Sequence, residues 1–226
     1  MEKHCTDSRV KGVSTGTTIL AAVFDGGVVI GSDSRASVGE EYVSSKTINK
    51  VIQVHDRIFC CIAGSLADAQ AITKAAKFHL SFHSVQMESP PRVMAAASVL
   101  KDLCYKNREE LQAGFMTAGW DKKNGPQVYV VALGGMLINQ LVTIAGSGST
   151  YIYGYIDAKY KPNMTKEECL QFATNGTVFS PCSHQDVKMF CREIVDCMKR
   201  KYMNHSTGEN KDCAQKMVGG IVMTLT

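Results

Sequence analysis

Two apolar runs near the start of the chain constrain its fold more than any other feature. The runs Thr17–Phe24 and Gly27–Gly31 are rich in β-branched and apolar residues, and they flank Asp25-Gly26. An Asp-Gly pair between apolar runs predicts a β-hairpin, because this pair tolerates the positive φ angles of a tight turn. Strands that are almost continuously apolar are usually buried on both faces. The sequence therefore predicts an early hairpin buried on both faces.

Length and composition indicate one globular domain. The chain has 226 residues, of which 45% are hydrophobic and 20% charged, and its net charge is +4. This charge is too small to predict nucleic-acid binding, and no apolar run is long enough to span a membrane. The polar start Met1–Asp7 is not a secretory signal. The nine cysteines form no C-x-x-C pair, so we expect reduced thiols.

Hydrophobic periodicity predicts helices between two groups of strands. A first helix is indicated by helical spacing of Leu66, Ala69, Ile72, Ala76 and Leu80 after the capping pair Ser65 and Asp68, and a second by Val93, Ala96, Leu100 and Leu103 after Pro91. Further segments are predicted as follows: strands at Val51–Ile62, Phe115–Gly119, Val128–Leu133, Leu137–Ile144 and Gly219–Leu225, a short helix at Thr165–Ala173, and a weak helical pattern at Val187–Tyr202. This order predicts an α+β sandwich of two packed sheets with helices outside.

Thr17 stands at the head of the first buried strand, behind a polar segment of no periodicity, Met1–Gly16. If the Gly16–Thr17 bond were cut, one residue would carry both a hydroxyl and a free amine. The amine could then act as the base for the hydroxyl, as in N-terminal threonine catalysis. Spacing alone leaves a second reading open, in which Thr17 only begins a strand.

Several ordered motifs carry a family resemblance. They are Gly16-Thr17-Thr18, Phe24–Val29, Gly31–Arg35, Asp56–Cys61, Ala118–Asp121 and Gly146–Tyr155. On these residues the chain resembles the catalytic β-subunits of the proteasome, and is most similar to the caspase-like subunit and its immunoproteasome counterpart. The resemblance runs from about Thr15 to about Phe172.

The resemblance implies a fold and an activity. The fold is the N-terminal nucleophile hydrolase sandwich, an αββα arrangement of two antiparallel sheets flanked by helices. The activity is that of a threonine endopeptidase of the 20S core, with Met1–Gly16 as a propeptide removed by autolysis and residues 17–226 as the proteasome β-type domain. It implies no cofactor and no metal, polypeptide substrates, partner α- and β-subunits in stacked seven-membered rings, and a location in cytoplasm and nucleus.

The resemblance also implies roles for individual residues. Thr17 matches the nucleophile, Lys50 the catalytic lysine and Asp33 the carboxylate that supports this lysine. Gly64 matches the position whose backbone N–H forms the oxyanion hole, and Ser147 matches a serine near the nucleophile. Without the resemblance, Asp33 and Lys50 would be interpreted as ordinary surface charges.

The substrate pocket can be assigned in the same way. The resemblance places five apolar residues there, namely Ala36, Ile48, Ile52, Ile62 and Leu66. Ile62 occupies the position of a basic residue in the caspase-like subunit, and an isoleucine cannot pair with a buried carboxylate. Leu66 is larger than the expected alanine, which would narrow the pocket. We expect cleavage after medium-sized apolar residues rather than acidic ones.

Two parts of the chain depart from the family. The loop from Gly39 to Lys50 is one residue longer, and this residue must be absorbed if Lys50 is to face Thr17. The tail 174–226 does not match, and an Asp and a Ser of the family site are missing from it. Ser183 and Asp186 lie in another context and receive no role. The cysteines and histidines of this tail have irregular spacing, which argues against a metal site.

The departures leave two rival hypotheses. The chain could be a structural or decoy ring subunit without activity. It could also be a product that does not assemble, because an altered tail exposes strand edges.

Overall fold

Two antiparallel sheets form the centre of the fold in the computed structural model, which describes residues 17–38, 42–178, 189–195 and 221–223. The first sheet has the strand order β10-β1-β2-β11-β12, and the second has the order β5-β6-β7-β8-β9. Their bounds are β1 Ile19–Phe24, β2 Gly27–Asp33, β5 Val51–His55, β6 Ile58–Gly64, β7 Ala113–Asp121, β8 Gly125–Val131, β9 Leu137–Gln140, β10 Val142–Ala145, β11 Met189–Val195 and β12 Ile221–Met223. A short separate hairpin joins β3 Ala36–Val38 to β4 Tyr42–Ser45.

The early hairpin lies at the centre of the first sheet, as its apolar sequence predicts. β1 pairs with β2 from Ile19 opposite Ser32 to Phe24 opposite Gly27, and every residue of β2 is buried. One face of the hairpin packs against the second sheet through an apolar cluster that includes Ile19, Val28, Ile30, Phe59, Met116 and Val128. Burial on both faces is therefore confirmed.

Helices cover the outer face of each sheet. The helices are α1 Leu66–Gln86, α2 Val93–Lys106, α3 Ser149–Lys159 and α4 Lys166–Val178. Helices α1 and α2 pack on the second sheet through a cluster that includes Ala69, Leu80, Ala96 and Leu100. Residues of α3 and α4, among them Ile152, Ile156, Cys169 and Phe172, pack with β1 and β2 on the other side. The predicted αββα sandwich is confirmed.

Several predicted elements differ from the structure. The expected strand Leu137–Ile144 is two strands, β9 and β10, which belong to different sheets. The helix α3 was not predicted, although Ser149 follows directly on the glycine-rich turn. The weak helical pattern at Val187–Tyr202 was misleading, because Met189–Val195 is a strand that pairs with β2 along its length. The final strand is confirmed as Ile221–Met223.

The β3–β4 hairpin contains an irregularity in its register. Ala36 pairs with Ser45 and Ser37 pairs with Val43, so Ser44 has no residue opposite it. Such a bulge absorbs one extra residue and changes the local twist. Because β5 starts at Val51, this bulge lies just before the segment that carries Lys50.

The predicted leader Met1–Gly16 lies outside the described residues, as do Ser183 and Asp186. No helix in the described part of the chain is long and apolar enough to cross a bilayer.

Candidate active site

Thr17 lies directly before β1, and the backbone around it is tied to two other segments. The carbonyl oxygen of Thr17 accepts a hydrogen bond from the Gly148 amide at 3.1 Å, and that of Thr18 accepts one from the Asp33 amide at 3.1 Å. Thr17 is only 2% exposed. Its position is therefore fixed by the sheet on one side and by the glycine-rich turn on the other.

Lys50 joins Thr17 to Asp33. The ammonium nitrogen of Lys50 donates to Thr17 Oγ1 at 2.9 Å and to both carboxylate oxygens of Asp33, Oδ1 at 3.0 Å and Oδ2 at 2.9 Å. The side chains of Lys50 and Asp33 are 4% and 1% exposed. A charged hydrogen bond in a site that excludes water is stronger than the same bond at the surface. The structure thus brings together three residues that are far apart in sequence.

The Asp33 carboxylate is held by backbone amides as well as by Lys50. Oδ1 accepts from the Thr18 amide at 2.7 Å and Oδ2 from the Arg35 amide at 3.0 Å. Burial raises the pKa of Asp33, and the Lys50 charge and these hydrogen bonds oppose the rise. Since Asp33 ends β2, the sheet itself positions the carboxylate beneath Lys50.

Lys50 reaches Thr17 because the chain before it is fixed against β2. The Ile48 amide donates to the Ser34 carbonyl oxygen at 3.0 Å, and the Ser34 hydroxyl donates to the Lys46 carbonyl oxygen at 2.6 Å. The Lys50 carbonyl oxygen accepts from the Ile62 amide at 3.1 Å, which continues the pairing of β5 with β6. These contacts hold the Lys50 side chain toward Thr17.

Ser147 and Gly146 lie on the other side of Thr17. The Thr17 amide donates to Ser147 Oγ at 3.2 Å. Gly146 has a φ of +92°, and a Cβ on it would collide with the Thr17 carbonyl oxygen. Only glycine allows the turn to approach Thr17 this closely, and this approach places Ser147 next to the Thr17 nitrogen.

Gly64 ends β6 beside the same site. Its φ is +97°, and a Cβ on it would overlap the Gln112 carbonyl oxygen, so no larger residue fits without movement. Gly64 and Thr17 both line one pocket. The missing side chain at Gly64 thus accommodates the close approach of the Gln112 backbone beside this pocket.

A small apolar pocket opens beside Thr17. It has a volume of about 10 Å³ and is lined by Thr17, Ala36, Lys50, Ile62, Ala63, Gly64, Leu66 and Ala69. Three of the five residues predicted to form the substrate pocket line this pocket, namely Ala36, Ile62 and Leu66, whereas Ile48 and Ile52 do not. Ile52 instead packs against the apolar cluster under α1. Ala63 and Ala69 were missed, although Ala69 follows Leu66 by three residues, the spacing of neighbours on one helix face.

No metal-binding arrangement was found in the parts of the chain that are described, where no three His, Cys, Asp or Glu side chains come together. The irregular Cys and His residues of the tail, from Cys182 to Cys213, are outside these parts or have no described side chain.

Comparison with known proteins agrees with this geometry. Residues 13–176 match the sequence profile of the family described as Proteasome subunit. The chain is 81% identical over 176 residues to the proteasome subunit beta type-6-B like protein of Salmo salar, covering 78% of this chain and 81% of the relative. It is 56% identical over 168 residues to proteasome subunit beta type-9 of Mus platythrix, covering 74% of this chain and 76% of that protein. For the beta type-9 subunit of Homo sapiens the identity is 53% over 164 residues, covering 73% and 74%.

The profile covers well over half of the chain, and the similar relatives are β-type subunits. In the described part of the chain, the two antiparallel sheets and the four helices around them form the sandwich fold of an N-terminal nucleophile hydrolase. The chain therefore belongs to the proteasome subunit family, as a β-type subunit of the threonine endopeptidase class.

Proposed function

We propose that the chain is the precursor of a proteasome peptidase subunit in which Thr17 becomes the N-terminal nucleophile when Met1–Gly16 is removed. The observation that carries the proposal is the position of the Lys50 ammonium, 2.9 Å from Thr17 Oγ1 and within 3.0 Å of both Asp33 oxygens. A cation hydrogen-bonded to the hydroxyl stabilises the negative charge that develops on Oγ1 when it loses its proton.

The base in this proposal is the nitrogen of Thr17 itself. In the uncut chain this nitrogen is an amide that donates to Ser147 Oγ at 3.2 Å, and an amide cannot accept the proton. Removal of the leader would convert it to an amine in the same place, held by the same serine. The leader therefore keeps the nucleophile idle, and its loss creates the base.

The reaction then proceeds as an acyl transfer. Oγ1 of Thr17 attacks the substrate carbonyl carbon, and its proton passes to the α-amine and then to the leaving amine as the peptide bond breaks. Water hydrolyses the resulting ester and restores the threonine. The backbone N–H of Gly64 is the proposed donor to the carbonyl oxygen, because Gly64 lines the pocket next to Thr17.

The pocket supports cleavage after apolar residues. Its lining away from Thr17 and Lys50 is made of alanine, isoleucine, leucine and glycine. Lys50 is the only cation among the described residues that line it, and the Lys50 ammonium already forms an ion pair with Asp33 at 2.9 Å. An acidic P1 side chain would be buried there without a partner of its own, which is costly.

Assembly and domain roles belong to the same proposal. As a member of the family the chain is a proteasome subunit. Its neighbours are proposed to be α- and β-subunits in stacked seven-membered rings, in cytoplasm and nucleus, with Met1–Gly16 as propeptide. No described contact favours the decoy hypothesis, since Lys50 and Ser147 both form hydrogen bonds with Thr17.

The test uses particles assembled with the tagged chain. Thr17→Ala and Lys50→Ala should each lower hydrolysis of apolar P1 peptides by roughly 10⁴–10⁶-fold, the range seen when a catalytic unit loses one member. Lys74→Ala is the control, because Lys74 is an exposed residue of α1. If particles that carry Thr17→Ala hydrolyse apolar P1 peptides as fast as particles that carry the unmodified chain, the proposal is wrong.

A further inference from the structure

We propose that Ser34 is a positioning residue for Lys50, and that its hydroxyl raises the rate of the chemical step by holding in place the chain that precedes Lys50. The inference rests on the proposed function, in which the Lys50 ammonium stabilises the negative charge that develops on Thr17 Oγ1. Ser34 is not among the described residues that line the pocket beside Thr17. Its effect on hydrolysis is therefore transmitted through Lys50.

The chain that precedes Lys50 is irregular and lies at the surface. Residues 46–49 belong to neither a helix nor a strand, and three of these four residues are exposed. Lys50 itself is buried, and its carbonyl oxygen accepts a hydrogen bond from the Ile62 amide, where the pairing of β5 with β6 begins. An exposed segment outside the sheet ladders opens more easily than paired strands do. The direction from which Lys50 enters the site therefore depends on what fixes residues 46–49.

Ser34 forms two hydrogen bonds with this segment. Its carbonyl oxygen accepts from the Ile48 amide at 3.0 Å, and its hydroxyl donates to the Lys46 carbonyl oxygen at 2.6 Å. The second distance is at the short end of the range for a hydroxyl donor and an oxygen acceptor. Ser34 is fully buried and directly follows Asp33, the last residue of β2. The segment is therefore attached to a fixed point at the end of a central strand.

Asp33 and Ser34 thus hold Lys50 at both of its ends. The Asp33 carboxylate binds the ammonium within 3.0 Å, whereas Ser34 binds the backbone two and four residues before Lys50. An ion pair fixes only the tip of the flexible four-carbon lysine side chain. The backbone must also be fixed if the ammonium is to stay 2.9 Å from Thr17 Oγ1. A displacement of about 1 Å in a catalytic group can lower the rate about 10²-fold.

The experiment measures kcat and KM separately for one apolar P1 peptide, in assembled particles and with the rate of Thr17→Ala particles subtracted. Rates are expressed per processed chain, counted by intact mass. Ser34→Ala removes the hydroxyl, and Ser34→Cys keeps the volume of the side chain but replaces the hydroxyl by a weak donor. The matched control is Tyr160→Phe. The Tyr160 hydroxyl donates to the Val23 carbonyl oxygen at 3.1 Å and also joins two distant parts of the chain, but Tyr160 is not among the described pocket residues.

We expect kcat to fall by about 10–100-fold in both Ser34 variants while KM changes by less than about threefold, since the lost interaction acts in the transition state. Tyr160→Phe should leave both constants within about twofold of those of the unmodified chain. A kcat per processed chain that is unchanged in both Ser34 variants, or a higher KM at unchanged kcat, would overturn the role of Ser34 while the endopeptidase activity stands. A complete lack of Thr17-dependent hydrolysis by the unmodified chain would instead refute the proposed function, and the inference with it.

Discussion

Replacement of Asp33 by asparagine is the perturbation whose cost the structure defines most sharply. Asp33→Asn keeps the shape of the side chain but removes its charge, so the Lys50 ammonium, 4% exposed in its side chain, loses its counterion. Removing one partner of a buried ion pair lowers the free energy of unfolding by about 3–5 kcal/mol. The substitution also replaces one of the two carboxylate oxygens that accept from the Thr18 and Arg35 amides. We therefore expect Asp33→Asn to lower the free energy of unfolding by the whole of this amount, about 3–5 kcal/mol.

Urea unfolding of the full-length chain under reducing conditions measures this cost at neutral pH. With an m value of about 2 kcal/mol/M, a loss of 3–5 kcal/mol lowers the midpoint by about 1.5–2.5 M. Asp102→Asn is the matched control, because Asp102 pairs with Lys101 at 3.7 Å with both side chains exposed. Exposed pairs contribute about 0–1 kcal/mol. If Asp33→Asn shifted the midpoint no more than Asp102→Asn, the buried pair would not be formed as described.

Three further substitutions test other parts of the structure. Gly64→Ala should lower the free energy of unfolding by at least about 1 kcal/mol more than Gly125→Ala, because both glycines have positive φ but, of the two, only at Gly64 would the Cβ meet another atom. Urea midpoints measure the difference, and equal losses in the two variants would contradict the close contact of Gly64 with Gln112. Burial raises the pKa of Asp121, but hydrogen bonds from the Asn124, Val93 and Lys123 amides and from the Gln127 side chain outweigh this effect and lower the pKa. The ionised Asp121 therefore stabilises the fold above its unfolded pKa of 3.8, and this stabilisation is lost as the pH falls through its folded pKa. Asp121→Asn should accordingly cost about 1–3 kcal/mol at pH 7 and less near pH 3, and a gap that widens in acid would refute the assignment. Cys191→Pro should prevent incorporation into particles, because β11 is paired with β2 on one side and β12 on the other and proline lacks the N–H for a ladder bond; Cys191→Val is the control, and normal incorporation of the proline variant would show that this strand is dispensable.

The layered core could be predicted from sequence because its signals are local. The hairpin at Asp25-Gly26 and the helical spacing from Leu66 to Leu80 each depend on contiguous residues, and both are confirmed. The break at Leu141 could not be predicted from sequence, since the separation of β9 from β10 depends on their pairing with strands of different sheets. The strand at Met189–Val195 was missed for the same reason, because it is stabilised by pairing with β2.

The candidate site could not be assembled from spacing alone. Asp33 and Lys50 would have been interpreted as surface charges, yet they are 2% and 3% exposed. Lys50 contacts Thr17 and Asp33, and Asp33 also contacts the Thr18 amide. Only the family resemblance suggested before the structure that these residues lie together. The pocket beside Thr17 has Ala69 but not Ile52 in its lining, and spacing in the sequence predicts neither position.

The central claim is that Thr17 becomes a free N-terminus, and the intact mass of this chain isolated from assembled particles tests it most directly. A mass that begins at Thr17, together with the full-length mass for Thr17→Ala in the same particles, is the predicted result. It would mean that the threonine removes its own leader. A full-length mass for the unmodified chain in mature particles would contradict the account and support the structural or decoy role.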